Sequence, residues 1–205
     1  PLSPRLPTRD PAFWERTLVT FHTTMRAEYD LARRGVYPRR LLPFHWLTKT
    51  VEARFYRALA RSDCDPTYTV VAPHLRSEVH PLGVTDPAVV PNGLAAPDTD
   101  SLAPIREEYG VPADATLVFN VGKMMAQKRP VALARVFEAL TERDDAIHCV
   151  MAGTGPLQSR VEAHAGERFH VPGYVPEAEK WRLFADADAF VSLSAYEGMP
   201  VASTE

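Results

Sequence analysis

Two glutamates eight positions apart, Glu197 and Glu205, enclose Gly198, Met199 and Pro200 in "SAYEGMPVASTE", the last residues of this 205-residue chain. A carboxylate accepts two hydroxyl hydrogen bonds at once, which is how acidic side chains hold ribose diols. Proline's fixed φ suits the first position of a helix. With Pro200 there, Glu197 lies just before the helix and Glu205 about a turn and a half inside it. Gly198 lets a ligand approach the backbone closely, and the amides from Gly198 through Met199 to Val201 point outward as an anion site. One loop would then offer N–H groups to a phosphate and carboxylates to sugar hydroxyls on either side. The alternative is a pair of ordinary exposed glutamates.

A second candidate loop is "GKMMAQKRP". Gly122 permits a tight exit from a strand, Lys123 and Lys128 flank the loop, and Pro130 starts a helix. Two ammonium groups beside a helix N-terminus suit a diphosphate, although two surface lysines are the plainer reading. Gly-Lys-Ser/Thr is absent, so this is not a P-loop. "MAGTGPL" has Gly153 and Gly155 but lacks the third glycine of a dinucleotide fingerprint. It reads better as a tight strand-to-helix turn. Asp63/Asp65, Asp98/Asp100 and Asp186/Asp188 form three Asp-x-Asp triplets in unrelated contexts, which argues for chance rather than a metal site. The seven histidines show no zinc-type spacing. Neither Cys64 nor Cys149 has a metal-type partner nearby; Cys149 sits in an apolar run and should be a buried thiol.

These loops need elements to hold them. Thr17 to Phe21 reads as a short buried strand ending at His22, and "TMRAEYDLARRG" as a helix stopped by Gly35. Leu47, Val51, Phe55 and Leu59 recur every four residues and predict the core face of a second helix, with Lys49, Arg54 and Arg57 outside. "TYTVVAP" is a β-branched strand, and Val89–Val90 a short one. "VTDPAVVPNGLAAPDTDS" ends in a Pro/Asp/Ala linker, so the boundary falls there: residues 1–92 form one domain and 93–205 another. Beyond it, apolar strands ("TLVFNVG", "AIHCVMAG", "FHVPG", "AFVSLS") alternate with helices ("RPVALARVFEALTER", "GPLQSRVEAHAG", "PEAEKWRLFADA"), with Leu133, Val136, Phe137 and Leu140 as one buried stripe. "PVASTE" begins a further helix. Such alternation implies an α/β fold with a parallel sheet, and ligands bind outside the carboxyl ends of its strands. The loops after Phe21, Val121, Ala152, Val171 and Leu193 are therefore the ones that can carry a site.

Hydrophobic residues make up 45% of the chain, which excludes a disordered class. No apolar run approaches the roughly 20 residues of a membrane span. Up to Ser62 there are 12 Lys/Arg against 5 Asp/Glu, whereas the remainder carries 11 against 21. This asymmetry points either to an anionic partner for the first segment or to a solvated basic face. Cysteine usage favours a reduced, cytoplasmic setting.

"VVPNGL", "VGKMMAQKRP", "VMAGTGP" and "VPGYVPEAEKWRLFADADAFVSLSAYEGMPVASTE" together resemble the nucleotide-sugar-binding domain of family 4 (group 1) retaining glycosyltransferases, which have the GT-B fold of two Rossmann-like domains. The resemblance covers Val89 to Glu205; "LVTFHTT" and "TYTVVAPH" resemble part of the acceptor domain. It implies that residues 1–92 are part of an N-terminal acceptor-side domain. Residues 93–205 are then most of the donor-binding domain, and the chain is a piece of a longer protein. It implies Lys123 and Lys128 on the diphosphate. The first of these is more usually Arg, so a point charge replaces a bidentate fork. It further implies Glu197 on the donor sugar's hydroxyls, Glu205 on the ribose, the backbone of Gly198, Met199, Pro200 and Val201 beside sugar and phosphate, and the backbone at Tyr174 and Val175 beside the base. His22 matches a sugar-contacting histidine, or is a plain loop histidine.

The expectation is a glycosyltransferase that moves a sugar from a nucleoside diphosphate sugar to a glycan, lipid or small-molecule acceptor with retention. It needs no metal or other cofactor, because lysines and amides neutralise the leaving group. Phe44 and Trp46 among Arg39, Arg40 and Lys49 suggest peripheral contact with the cytosolic face of a membrane that holds a lipid-linked acceptor. No nucleic-acid partner is expected. A nucleotide-binding module without turnover and a sugar-nucleotide epimerase on the same fold are the alternatives. A nicotinamide dehydrogenase is disfavoured by the incomplete glycine pattern.

Overall fold

In a computed structural model of the chain, the described residues are 11–64, 66–95, 97–99, 102–200 and 202. They form two compact units. One runs to Gly93 and takes in Tyr196–Met199; the other runs from Leu94 to Ala195 and resumes at Pro200. The sequence reading had assigned Tyr196–Met199 to the second domain.

The first unit opens with α1 (Pro11–Trp14) and β1 (Leu18–Phe21). After these come α2 (Met25–Arg33), α3 (Leu42–Leu59), β2 (Thr67–Val70), α4 (Leu75–Val79) and β3 (Ala88–Val89). Its three strands are parallel in the order β1-β2-β3, with Leu18 opposite Thr67 and Thr69 opposite Ala88. Phe21, Val70, Val71, Leu75, Val79, Leu82 and Val84 are buried together, and Tyr196 and Met199 pack against them.

The predicted face of α3 is wrong. Leu47 and Val51 are 53% and 45% exposed, and only Leu59 of the stripe is fully buried. A strict four-residue repeat drifts by about 40° per step around a 3.6-residue helix, so one stripe cannot keep facing a core. The inward positions are polar or aromatic instead. His45 stacks on Tyr37, the Lys49 ammonium lies 3.5 Å from the Tyr29 ring centroid, and Glu52 accepts the Met25 N–H. Lys49 therefore faces inward, not outward.

The second unit is built from β4 (Thr116–Val121), α5 (Pro130–Arg143), β5 (Ile147–Ala152) and α6 (Gln158–Glu162), then β6 (Phe169–Gly173), α7 (Glu177–Asp186) and β7 (Ala189–Phe190). All four strands are parallel, in the order β6-β5-β4-β7. Alternate residues of each strand feed opposite layers. Leu117, Phe119, Val150 and Ala152 pack with Leu183 of α7, while Val118, Cys149 and Met151 pack with Leu133 and Phe137 of α5 and Val161 of α6. Each large side chain so buried contributes about 1.5–3 kcal/mol. Cys149 is fully buried, and burial pushes its thiol up to about 12. Val136, predicted on the stripe, is 43% exposed; Ala134 takes the inward place.

β7 is shorter than "AFVSLS" implies. Beyond Phe190 the pairing passes to other groups: Val191 N–H donates to Phe119 O, and the Asn120 side chain donates to Val191 O at 2.7 Å. Asp186 and Asp188 are engaged by donors of the protein itself. Asp188 Oδ2 accepts the Leu117 N–H at 2.7 Å and the Arg106 guanidinium at 2.8 Å. Asp186 Oδ2 accepts the Ile105 and Arg106 amides. The Leu117 amide and Arg106 hold the Asp188 carboxyl below its ordinary range. These two carboxylates pin the segment before β4 to the turn between α7 and β7.

Candidate functional site

The order β6-β5-β4-β7 fixes where the second unit can bind a ligand. From β4 the chain winds outward through α5 to β5 and through α6 to β6. It then crosses back by α7 to lay β7 on the far side of β4. The connections reverse at β4, and such a switch point leaves a crevice outside the carboxyl ends of the strands. The β4–α5 loop and the loop after β7 border it.

The β4–α5 loop carries Gly122, Lys123 and Lys128, all at this carboxyl edge. Its path is irregular. Ala126–Lys128 form a 3-10 turn, Arg129 takes a left-handed conformation with φ 51°, and α5 starts at Pro130 as the sequence indicates. Lys123 is exposed and Met124, beside it, is buried. The helix end offers fewer amides than its N-terminus suggests. Pro130 has no N–H, and Ala132 and Leu133 donate to Arg129 O, so of the first turn only Val131 is not engaged in this way. Full charge on the lysines thus outweighs backbone donors here.

Neighbouring strand ends lock this loop in place. Gly122 N–H donates to Ala152 O, Met124 N–H to Thr154 O at 2.8 Å, and Gly153 N–H to Gly173 O. Gly153 has φ +124°, and a Cβ there would lie 2.0 Å from Gly122 O; a Cβ on Gly155 would lie 2.7 Å from Met124 O. The "MAGTGPL" glycines are therefore required by contact between two loops, in keeping with the tight-turn reading. Gly173 leads directly to Tyr174, which is 75% exposed, and to Val175, whose side chain belongs to the core. Only the backbone of Val175 is available to a ligand. On the far side, Ala195 N–H donates to Gln127 O at 2.8 Å, which ties the loop after β7 to the residue preceding Lys128. Glu197 follows two residues later.

In the first unit, His22 is exposed just past the carboxyl end of β1. Gly198 lies on it: a Cβ on Gly198 would fall 1.7 Å from His22 O. Met199 S accepts the Asn92 N–H at 3.1 Å. His22, Glu197, Gly198 and Met199 thus belong to one unit. Gly122, Lys123, Lys128, Tyr174 and Val175 lie together at one sheet edge of the other. Pro200 itself is not helical and Ala202 is in a 3-10 turn; the helix read from "PVASTE" falls mostly on residues outside the described ones. Val201 and Glu205 lie outside the described residues. Among the described residues there is no cluster of three or more His, Cys, Asp or Glu placed to hold a metal ion.

The family model for Glycosyl transferases group 1 matches residues 103–205, half of the chain, and the chain belongs to that family. Two proteins of Bacillus subtilis (strain 168) are similar. One is EpsF, assigned to the glycosyltransferases, 29% identical over 135 residues. The other is TuaC, assigned to the teichuronic acid biosynthesis glycosyltransferases, 28% identical over 156 residues. These matches cover 63% and 73% of this chain but 34% and 38% of the relatives, so the chain spans about a third of the length of the curated relatives it matches. Among solved structures, WaaG, a glycosyltransferase involved in lipopolysaccharide biosynthesis, superposes with a TM-score of 0.64 at 16% identity, over 88% of this chain and 51% of that one. The architecture is α/β of the GT-B type.

Proposed function

We propose that the protein containing this chain is a retaining glycosyltransferase of family 4, and that the second unit binds the nucleoside diphosphate part of its sugar donor. The observation that carries this reading is the switch point at β4. There a loop with Lys123 and Lys128 stands at the carboxyl edge, tied by Gln127 to the loop after β7. Breaking the bond between the anomeric carbon and the diphosphate oxygen develops negative charge on the diphosphate and positive charge on the sugar ring. Lys123 and Lys128 stabilise the first, a preorganised electrostatic contribution of the kind worth several kcal/mol. Glu197 and His22 orient the sugar, Gly198 and Met199 bring backbone beside it, Glu205 holds the ribose, and the backbone at Tyr174 and Val175 seats the base. The acceptor hydroxyl oxygen then bonds the anomeric carbon on the face the diphosphate leaves, and its proton passes to the departing diphosphate oxygen. No metal is required in this scheme. A calorimetric panel of UDP, GDP and their sugars tests it. Binding of one nucleoside diphosphate that weakens on Lys128→Ala supports the reading; binding of none across the panel overturns it.

The acceptor side is assigned to an anionic membrane surface at the cytosolic face, holding a lipid-linked acceptor. Phe44, Trp46, Leu47 and Val51 of α3 are each exposed by 45% or more, with exposed Arg39, Arg40 and Arg54 nearby in the chain. Among the described residues no helix is long and apolar enough to cross a membrane. Aromatic and aliphatic side chains beside arginines suit the headgroup boundary of an anionic bilayer. Sedimentation with vesicles should rise with anionic lipid content and fall in a Phe44→Glu, Leu47→Glu variant. Sedimentation indifferent to anionic lipid contradicts the assignment.

A further inference from the structure

One carboxylate oxygen in the first unit holds both loops that carry its candidate sugar contacts. Glu78 Oε2, on α4, accepts the Thr24 hydroxyl at 3.1 Å and the Tyr196 hydroxyl at 2.9 Å. Thr24 stands two residues after His22, and Tyr196 immediately precedes Glu197. Thr24 is fully buried and caps α2: its own oxygen accepts the Ala27 N–H at 3.1 Å while its hydroxyl hydrogen goes to Glu78. The neighbouring Met25 N–H goes to Glu52. The orphan donors at the start of α2 are thereby satisfied, and the backbone leading out of β1 through His22 is fixed.

The 196–199 strip is fixed from three directions. The Tyr196 hydroxyl is on Glu78, the Gly198 backbone presses on the His22 carbonyl, and Met199 S accepts from Asn92. Burial foremost, with Glu78 adding to it, pushes the Tyr196 phenol above its ordinary range, so it remains a donor. A hydrogen bond to a charged acceptor is roughly twice as strong as a neutral one. Glu197 sits between Tyr196 and Gly198, and both of these are held by groups of the first unit.

We propose that Glu78 is a positioning residue: its single Oε2 sets His22 and Glu197 in register for the donor sugar. The donor-sugar part of this proposal rests on the reading given under Proposed function; the coupling of the two loops does not. Glu78 touches no reacting atom and acts through Thr24 and Tyr196. The two loops are far apart in sequence, share this acceptor and also touch directly, Gly198 on the His22 carbonyl and the Thr23 side chain at the Tyr196 hydroxyl. Loss of Glu78 should therefore loosen both alike, whereas loss of the Tyr196 hydroxyl should loosen its own loop more than the other.

Two measurements test it on the chain as it stands. The first is amide hydrogen exchange. Glu78→Ala should speed exchange about tenfold in both 22–25 and 195–199, the loss of one charge-assisted hydrogen bond at each. Tyr196→Phe should do so in 195–199, with a smaller effect in 22–25. Protection retained in either segment of Glu78→Ala overturns the coupling, whatever the chain binds. The second is the ratio of affinities for a sugar nucleotide and its parent nucleotide, with UDP-glucose against UDP and GDP-mannose against GDP as probes. Tyr196→Phe should weaken the sugar nucleotide about tenfold and leave the nucleotide within twofold, which a general folding defect would not do. Equal weakening of both overturns the positioning role. Failure of the unsubstituted chain to bind any probe overturns the donor reading and the role toward the sugar with it, and exchange alone then decides the coupling. Should Glu78→Ala fail to fold, Glu78→Gln, which keeps an acceptor oxygen but no charge, replaces it, with faster exchange expected in the same two segments.

Discussion

Replacing Gly153 by alanine tests how the lysine loop is held. The new Cβ would meet Gly122 O at 2.0 Å and Gly122 C at 2.9 Å, both backbone atoms with no rotamer to escape into. An ordinary carbon–oxygen contact is about 3.3 Å, so the two loops must part by roughly 1.3 Å. Three bonds stand in the way: Gly122 N–H to Ala152 O, Met124 N–H to Thr154 O, and Gly153 N–H to Gly173 O. The φ of +124° adds strain for any L-residue, about 1–3 kcal/mol. With one or two of the three bonds lost at about 1 kcal/mol each, the cost is about 2–5 kcal/mol. Trp181 is the one tryptophan of residues 94–205, so Trp14→Phe, Trp46→Phe background variants give a fluorescence signal specific to the second unit. In urea, where small domains have slopes of about 1–3 kcal/mol/M, the midpoint should fall by at least about 0.7 M. Gly166→Ala is the control, because a Cβ there meets nothing within 4 Å. Should Gly153→Ala unfold within about 0.3 M of Gly166→Ala, the inter-loop contact does not hold the Lys123 loop and the reasoning fails.

Two further outcomes follow from the same geometry. In the full-length enzyme, Lys128→Ala should lower kcat by about a hundredfold, the scale of losing one preorganised charge, with the melting temperature unchanged; normal turnover refutes its role on the leaving group. The second unit should also lose stability in mild acid. His148 Nδ1 and His170 Nε2 are buried without a hydrogen-bond partner. Burial lowers both imidazoles below their ordinary range, and His170, Arg168 and Arg106 lower His148 further. The unfolded chain therefore binds protons first as pH drops below about 6.5, and the stability of the folded unit falls with it. Urea midpoints between pH 8 and pH 5 check this: a flat profile contradicts it, and His148→Phe should reduce the slope.

Much of the second unit was legible because its strands are buried on both sides. Continuous apolar runs such as "TLVFNV" and "HCVMA" have few other uses, and Pro130 marks the start of α5. The first unit was less legible. The α3 stripe misled because the inward positions bury polar and aromatic groups, His45, Lys49 and Glu52 against α2 and Tyr37 and Tyr56 against Phe21 and Tyr68, which hydrophobic periodicity does not register. Asp186 and Asp188 take part in holding the fold. Their role, accepting the Ile105 and Arg106 amides before β4 and the Leu117 amide within it, depends on partners 71 to 82 residues away. Glu78 was missed for the same reason: Tyr196 lies 118 positions from it, and no local pattern marks either. The spacing of Lys123, Lys128, Glu197 and Gly198 was readable as a set of candidates. That Gly198 lies on the His22 carbonyl was not, because the contact joins the first part of the chain to the last.

The most direct test is amide chemical-shift mapping of the chain as UDP and GDP are added. The account predicts shifts at Gly122, Lys123, Lys128 and Tyr174, along the carboxyl edge of the β6-β5-β4-β7 sheet. Shifts at the opposite edge, at Asp144–Ala146 and Gly166–Arg168, with the lysine loop unmoved, would contradict it.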